Sequence, residues 1–477
     1  MEDNNFQNPP LFTACMQGNL EAVQLLLSSP DYVTDINEDR GYFRWDADVN
    51  FYATPLWAAA AGGHLEIVRY LIESGANINA TGLYHDYEST PLNFACQFGS
   101  IQVVKLLVES GADISLRDSQ NETCLMLASQ AISAEVCQYL IENGADVLAT
   151  EVHDGNTALH YACDDRDDNE VHLFEEELLN VARILIENGA NVNARNNDGS
   201  TSLMLSYHSP KLCDYLLNQG AHVNLVDFFA SMSVLNRALF ECKYETLIVL
   251  IMHEADTSGL GSGFIDWLHT MLNDGPEDAD ELFTESEKSM KYQGVASGIE
   301  LIGSAILFKS NDINETLRLW KVACDLRADE DVNITKDVNE SNASIYQSRS
   351  EFTCGEEIPD SKDEEAIYEQ SLMITERVLG KNHHFFHDFL HERALHFENN
   401  RKFEKAIDYC KYAFQCGDTN GLQVKPLALR HLAINVIVKH DLDYKDKLPP
   451  GLKDPCPWKD QVFSNLQVES QSSRSSV

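Results

Sequence analysis

At 477 residues, 44% of them apolar, the chain has material for about three packed domains. Its 35 lysines and arginines face 76 aspartates and glutamates. The net charge of −41 speaks against nucleic acid or anionic membranes as partners and favours basic ones, unless it serves solubility alone. The twelve cysteines form no C-x-x-C pair, the usage of a reduced intracellular chain, and MEDNNFQNPP at the start has neither a basic nor an apolar signal region. The longest apolar run, near Leu247 to Met252, is far too short to span a bilayer. A cytoplasmic location is expected, with the nucleus also open.

In chain order, PLFTACMQGNLEAVQLLLSS from Pro10 reads as a degenerate helix pair suited to capping an array. Residues 30–53 follow, rich in Tyr42, Phe43, Trp45, Phe51 and Tyr52. This stretch is either a recognition finger or an Ω-like loop that buries its own aromatics. Then one pattern is written three times: TPLWAAAAGGHLEIVRYLIESGANIN from Thr54, TPLNFACQFGSIQVVKLLVESGADIS from Thr90 and TCLMLASQAISAEVCQYLIENGADVL from Thr123. The threonines lie 36 and 33 residues apart, and Gly75, Gly111 and Gly144 each fall 21 residues after one of them. These are ankyrin repeats. Each pairs a short helix, alanine-rich on its inner side (Ala58, Ala59, Ala95, Ala128), with a second helix whose apolar face needs a stacked neighbour.

The copy at Thr157 reaches its Gly189 only after 32 residues, because an acidic insertion of about eleven residues has entered within 164–180. The insertion, with Asp164, Asp165, Asp167, Asp168, Glu170 and Glu175 to Glu177, is a solvated loop or a docking surface for a basic partner. Shorter or weaker copies at Thr201 and Val234 complete an array over 1–256 of about seven repeats. Gly clusters and an acidic Pro-containing segment mark 257–284 as a linker.

The region 285–417 reads as tetratricopeptide-like helices around a loop at 329–361, with Ala394, Phe397, Phe403, Ala406 and Ile407 as one helix contact. His387 and His391 share a helix face. HDFLH is not a zinc-protease motif and no third ligand is apparent, so surface histidines are the plainer reading and a metallo-enzyme the competing one. No phosphate-cradling loop, nucleophile elbow or RING-type zinc spacing occurs, so neither a cofactor nor a catalytic residue is expected. From Pro426 an amphipathic helix carries Leu429, Leu432, Ala433, Val436 and Ile437, and Leu448-Pro449-x-x-Leu452 follows. Such a stripe either docks on its own domain or is offered to a partner. Residues 455–477, rich in Ser and Gln, read as a disordered tail.

Leu-x-x-Leu-Ala with Pro ahead, then Leu-Pro-x-x-Leu, resembles the elongin-binding box of cullin substrate receptors. With GIELIGSAILFKSND at Gly298, ITERVLG at Ile374 and NVIVKHDLDYKDKLP at Asn435, the order of segments resembles the feminization-1 (Fem) proteins, receptors of cullin-2 RING ubiquitin ligases. The resemblance implies an all-α fold: an ankyrin solenoid, a tetratricopeptide-like block and an elongin-binding helical box at 422–454. It implies a non-catalytic adaptor whose Leu429, Leu432, Ala433, Val436 and Ile437 contact elongin C with elongin B, and whose Leu448, Pro449 and Leu452 choose cullin-2 with its RING subunit. Protein targets, basic or with C-terminal degrons, would sit on the ankyrin surface, and the candidate contacts are Trp45, Tyr84, Asp86, Glu88, Asn93, Phe98, Asp118 and Asn121. Phe98 stands where the family commonly has an Asp that receives an arginine, which implies a different or more apolar target end. A plain ankyrin scaffold without ligase partners is the alternative.

Overall fold

The computed structural model describes residues 9–29, 36–37, 41–43, 51–84, 87–98, 100–164, 168–228, 231–274, 284–328, 336, 351–353 and 355–416. The chain divides into two compact units, Met1–Ser258 and Gly259–Val477. Trp45, Asp86 and all of 422–454, with Leu429, Leu432, Ala433, Val436, Ile437, Leu448, Pro449 and Leu452, lie outside the described residues.

The first unit is a series of helix pairs: α1 (Pro10–Met16) with α2 (Leu20–Ser28), α3 (Pro55–Ala61) with α4 (Leu65–Glu73), and α5 (Pro91–Gln97) with α6 (Ile101–Glu109). There follow α7 (Cys124–Gln130) with α8 (Ala134–Glu142), α9 (Ala158–Cys163) with α10 (Asp168–Glu187), α11 (Ser202–Leu205) with α12 (Pro210–Asn218), and α13 (Val234–Phe240) with α14 (Tyr244–Met252). First helices pack on first helices and second on second, which makes two helical layers.

The recurring threonine is an N-cap. The Thr54 hydroxyl accepts the Trp57 backbone N–H at 3.2 Å and Thr90 that of Asn93 at 3.1 Å, while Thr123, Thr157 and Thr201 do the same for their helices. Ser233 takes this role at α13, where the repeat is hard to see in the sequence. Ala58, Ala59, Ala95 and Ala128 are fully buried between neighbouring first helices, where a larger side chain would push the layers apart. Gly75, Gly111 and Gly144 hold φ of 92, 96 and 93°, and nothing stands within 4 Å of where a Cβ would go. Left-handed backbone, not lack of space, therefore demands glycine there.

Two segments depart from the sequence reading. Within the stretch 30–53, β1 (Gly41–Phe43) and β2 (Phe51–Ala53) form antiparallel strands. β2 then pairs with β3 (Gly82–Tyr84), and β3 with β4 (Tyr87–Ser89), so the fingers of two repeats join into one four-stranded sheet in an otherwise helical unit. The acidic insertion, read as a solvated loop or a docking surface, is helical from Asp168 and lengthens α10, while 165–167 lie outside the described residues. Leu178, Val181, Ala182 and Leu185 keep the apolar stripe, while Lys211 meets Glu175 at 2.7 Å and Ser209 donates to the same carboxylate at 3.1 Å. A helix that finds partners for its charges on the next repeat does not need to loop out.

In the second unit, residues 257–284 are not all linker, because Ser262–Asp274 form helix α15. α16 (Glu285–Ser310) and α17 (Ile313–Ala328) pack against each other across a joint at Asn311, whose φ of 55° ends α16 in a left-handed residue. α18 (Glu364–Leu379), α19 (His384–Asn399) and α20 (Phe403–Cys416) complete the described helices. Ala394, Phe397, Ala406 and Ile407 are buried in one cluster, with Phe403 packed against it. Glu300 of α16 is fully buried and ion-paired to Arg327 at 2.6 Å, Arg377 at 2.5 Å and Lys336 at 2.8 Å. Arg377 and Lys336 also reach Glu351, at 3.0 and 2.9 Å. Burial pushes the Glu300 carboxyl up, yet these cations outweigh burial and hold it down at about 2.

Candidate protein-binding surface

The first helices and the fingers between repeats carry most of the residues picked out in the sequence. Phe98, the residue that ends α5, is 62% exposed, an unusual state for so large an apolar ring. It packs tilted against Phe94 at 4.5 Å between centroids, and Phe94 packs tilted against Trp57 at 4.2 Å. Trp57 is buried and donates its indole N–H to Ser89 at 3.2 Å, which ties the row to β4. The row thus runs from the interior and ends in solvent.

Glu88 is exposed on β4, where its backbone exchanges bonds with Ser119: Ser119 Oγ accepts the Glu88 N–H at 2.8 Å, and the Glu88 carbonyl accepts the Ser119 N–H at 2.9 Å. Tyr84 lies on β3, with its Cα opposite those of Phe51 and Tyr87. Asp118 is nearly buried, and its carboxylate accepts the backbone N–H groups of Gln120 at 3.0 Å and Glu122 at 2.8 Å, so it holds a turn together. Asn121 takes a left-handed φ of 68°, and its side chain and carbonyl accept from Arg117 at 3.0 and 2.8 Å. Asn93 corrects the sequence reading: it is fully buried, because the third helical position points back at its own cap, Thr90. The side chain is closed to solvent.

The structure adds an acidic group that the sequence reading missed. Tyr161 donates its hydroxyl to Glu122 at 2.5 Å, and burial together with that carboxylate pushes the phenol well above its ordinary range. Glu151 lies near and accepts three backbone N–H groups, from His153 and Asp154 at 2.6 Å and Asn156 at 3.0 Å. The signal available was position: Glu122 directly precedes the cap Thr123, and Tyr161 follows the cap Thr157 by one helical turn. Helices α3, α5, α7 and α9 contain no lysine or arginine. This layer is apolar and aromatic with carboxylates in its loops, fit to bind polypeptide.

His387, expected on a helix surface, is buried at 7% exposure, because α19 packs on both α18 and α20. Among the described residues no group of three metal-ligating side chains occurs, and no helix is long and apolar enough to cross a membrane. Burial pushes the thiol of Cys137 up to about 12, as expected of a packing cysteine.

The family described as ankyrin repeats (three copies) matches residues 11–118 and 110–175, and the single ankyrin repeat matches 154–197. Protein fem-1 homolog A-like of Mus musculus is 27% identical over 256 residues, 52% of this chain and 38% of that protein. Protein fem-1 homolog C of Homo sapiens is 27% identical over 186 residues, 39% of this chain and 30% of that protein. The chain thus spans well under half the length of these curated relatives. The crystal structure of the human ASB11 ankyrin repeat domain superposes with a TM-score of 0.41 at 22% identity, over 52% of this chain and 99% of that one. The chain thus carries ankyrin repeats over residues 11–197 and is similar to fem-1 homologues over as much as half of its length.

Proposed function

We propose that this chain is the substrate-recognition adaptor of a cullin-2/elongin ubiquitin ligase. The ankyrin layer ending in Phe98 holds a protein target, and the segment 422–454 recruits elongin C with elongin B, and cullin-2 with its RING subunit. The likeness to fem-1 homologues across half the chain carries this reading, and the box-like words at Leu429 and Leu448 support it. The adaptor does no covalent chemistry; it supplies proximity and the choice of target. An exposed aromatic end beside helices α3, α5, α7 and α9, which hold no lysine or arginine, favours targets that present an apolar group beside a basic one.

The test is co-purification of the full chain with elongin C. Leu429→Asp should abolish it, because an unpaired charge forced into an apolar contact costs about 2 kcal/mol or more. Full retention of elongin C by that variant sinks the proposal. Capture of targets by the unaltered chain without any elongin leaves the plain ankyrin scaffold in its place.

A further inference from the structure

The loops that lead into α9, α11 and α13 carry exposed apolar side chains that the adaptor reading leaves unused. Val152 is 65% exposed, Phe228 62% and Val226 41%. Each loop is a finger closed by an isolated β-bridge, Thr150 with Thr157, Arg195 with Thr201 and Val226 with Ser233. Inside each finger one side chain gathers backbone N–H groups. Glu151 takes those of His153, Asp154 and Asn156, Asn196 those of Asp198 at 3.1 Å and Ser200 at 2.8 Å, and Asp227 that of Met232 at 3.3 Å. Val152, Asn197 and Phe228 come directly after these three residues, so they hold the same place in successive fingers. The fingers are also tied to one another. The Asn197 N–H donates to the Asp154 carbonyl at 2.7 Å and its side chain to the His153 carbonyl at 2.8 Å, while the Phe228 N–H donates to the Asp198 carbonyl at 2.8 Å. Val152, Asn197 and Phe228 therefore form one row, with exposed Asn197 between the two apolar ends.

Phe228 is held in place although it is open to solvent. The Arg195 guanidinium lies 4.6 Å from its ring centre, and it donates from Nε to the Gly199 carbonyl at 3.0 Å and from Nη2 to the Val226 carbonyl. A Cβ on Gly199 would stand 2.7 Å from the ring, so the ring rests directly on the neighbouring finger. An aromatic fixed in this way loses little freedom when a partner covers it. The charge around the row is acidic. The three fingers contain Glu151, Asp154, Asp198 and Asp227 against Arg195 alone. Asp227 is paired with Arg237 of α13 at 3.0 Å, and Glu151 is buried with its N–H donors. Asp154 and Asp198 are exposed, and among the described residues neither carboxylate has an ion pair or a hydrogen-bond donor. Their charge is left for a cation from outside.

We propose that the row Val152, Asn197 and Phe228, flanked by Asp154 and Asp198, docks a basic segment of a partner protein that carries apolar side chains among its lysines or arginines. The apolar groups cover Phe228 and Val152, and the cations meet the two aspartates, which matches both the exposed ring and the unpaired charge beside it. The surface lies apart from Phe98 and needs neither the elongin box nor a target on the first helices.

The experiment titrates the full chain into a fluorophore-labelled peptide of lysines and leucines and follows anisotropy at physiological salt, where charges more than about 8 Å apart are largely screened. The unaltered chain should bind saturably, and the counterpart with glutamates in place of lysines should not bind. Phe228→Ala, and Asp154→Lys combined with Asp198→Lys, should each weaken binding by about tenfold or more. Glu73→Lys combined with Glu187→Lys, at exposed positions on α4 and α10, changes the net charge equally and should alter binding little. Phe98→Ala should bind as the unaltered chain does, which separates this surface from the one proposed for targets. If Phe228→Ala lowers the melting temperature, the double reversal at Asp154 and Asp198 decides alone. Absence of saturable binding, equal binding by the unaltered chain and that double reversal, equal weakening by the two double variants, or a loss with Phe98→Ala as large as with Phe228→Ala would each overturn the assignment.

Discussion

Ile132 holds a left-handed backbone, φ 54°, in a helix joint where the repeat at Thr54 has Gly63 at φ 67°. A β-branched side chain there costs about 1–2 kcal/mol, whereas glycine loses about 0.5–1 kcal/mol more chain entropy on folding than other residues. Ile132→Gly should therefore stabilise the protein by about 0.5–1 kcal/mol, seen as a higher urea midpoint with unchanged slope. A lower midpoint would show that Ile132 contributes more by packing than it loses by strain. Cys242 and Glu254 take the same kind of backbone in and after the copy at Val234, at φ 56 and 67°. Residues that bear such strain without glycine are the physical reason that this repeat reads weakly.

At the scale of elements, the Glu300 network binds α16, α17 and α18 through charges that lie inside the unit. Removing one partner of a buried set leaves the others uncompensated, so Glu300→Gln should destabilise the second unit by about 3–5 kcal/mol. The pH dependence follows from a carboxyl lowered from an ordinary 4.5 to about 2. Its contribution is complete above 4.5 and is lost as pH falls towards 2. Unfolding followed through that window should show a smaller loss of stability in Glu300→Gln than in the unaltered chain, and equal slopes would refute the assignment. The same network shows what a sequence hides. Threonine caps, left-handed glycines and buried alanines were legible because each is a local rule repeated at a fixed spacing. The pairs Glu300–Arg327 and Glu300–Arg377 join positions 27 and 77 apart with no periodic mark. The β2–β3 pairing likewise joins two fingers that were read one at a time. The α10 extension was misread because a run of acids looks solvated until Lys211 and Ser209 of the next repeat are in place. For the candidate surface, exposed Phe98 was visible as a departure from pattern, whereas the burial of Asn93 and the Tyr161–Glu122 bond needed coordinates.

Across the whole molecule, stability is held in two separate currencies. The first unit is a stack in which each helix pair touches its neighbours, so its cohesion is a sum of interfaces such as α3·α5 and α7·α9. The second unit has a cluster centred on Phe386, Phe389 and Phe397, plus the Glu300 ion network. Units with separate cores need not melt as one, and a single unfolding temperature is then not a defined quantity. Calorimetry should resolve two transitions, with Ile132→Gly moving only the first unit's and Glu300→Gln only the second's, because sites that share no partner act additively. A protein target bound on the ankyrin layer should raise only the transition that Ile132→Gly moves, by the mass-action gain of binding the folded form. One shared transition, moved by both substitutions and by the target, would show the two units to be a single cooperative body and remove the basis for treating their stabilities as independent.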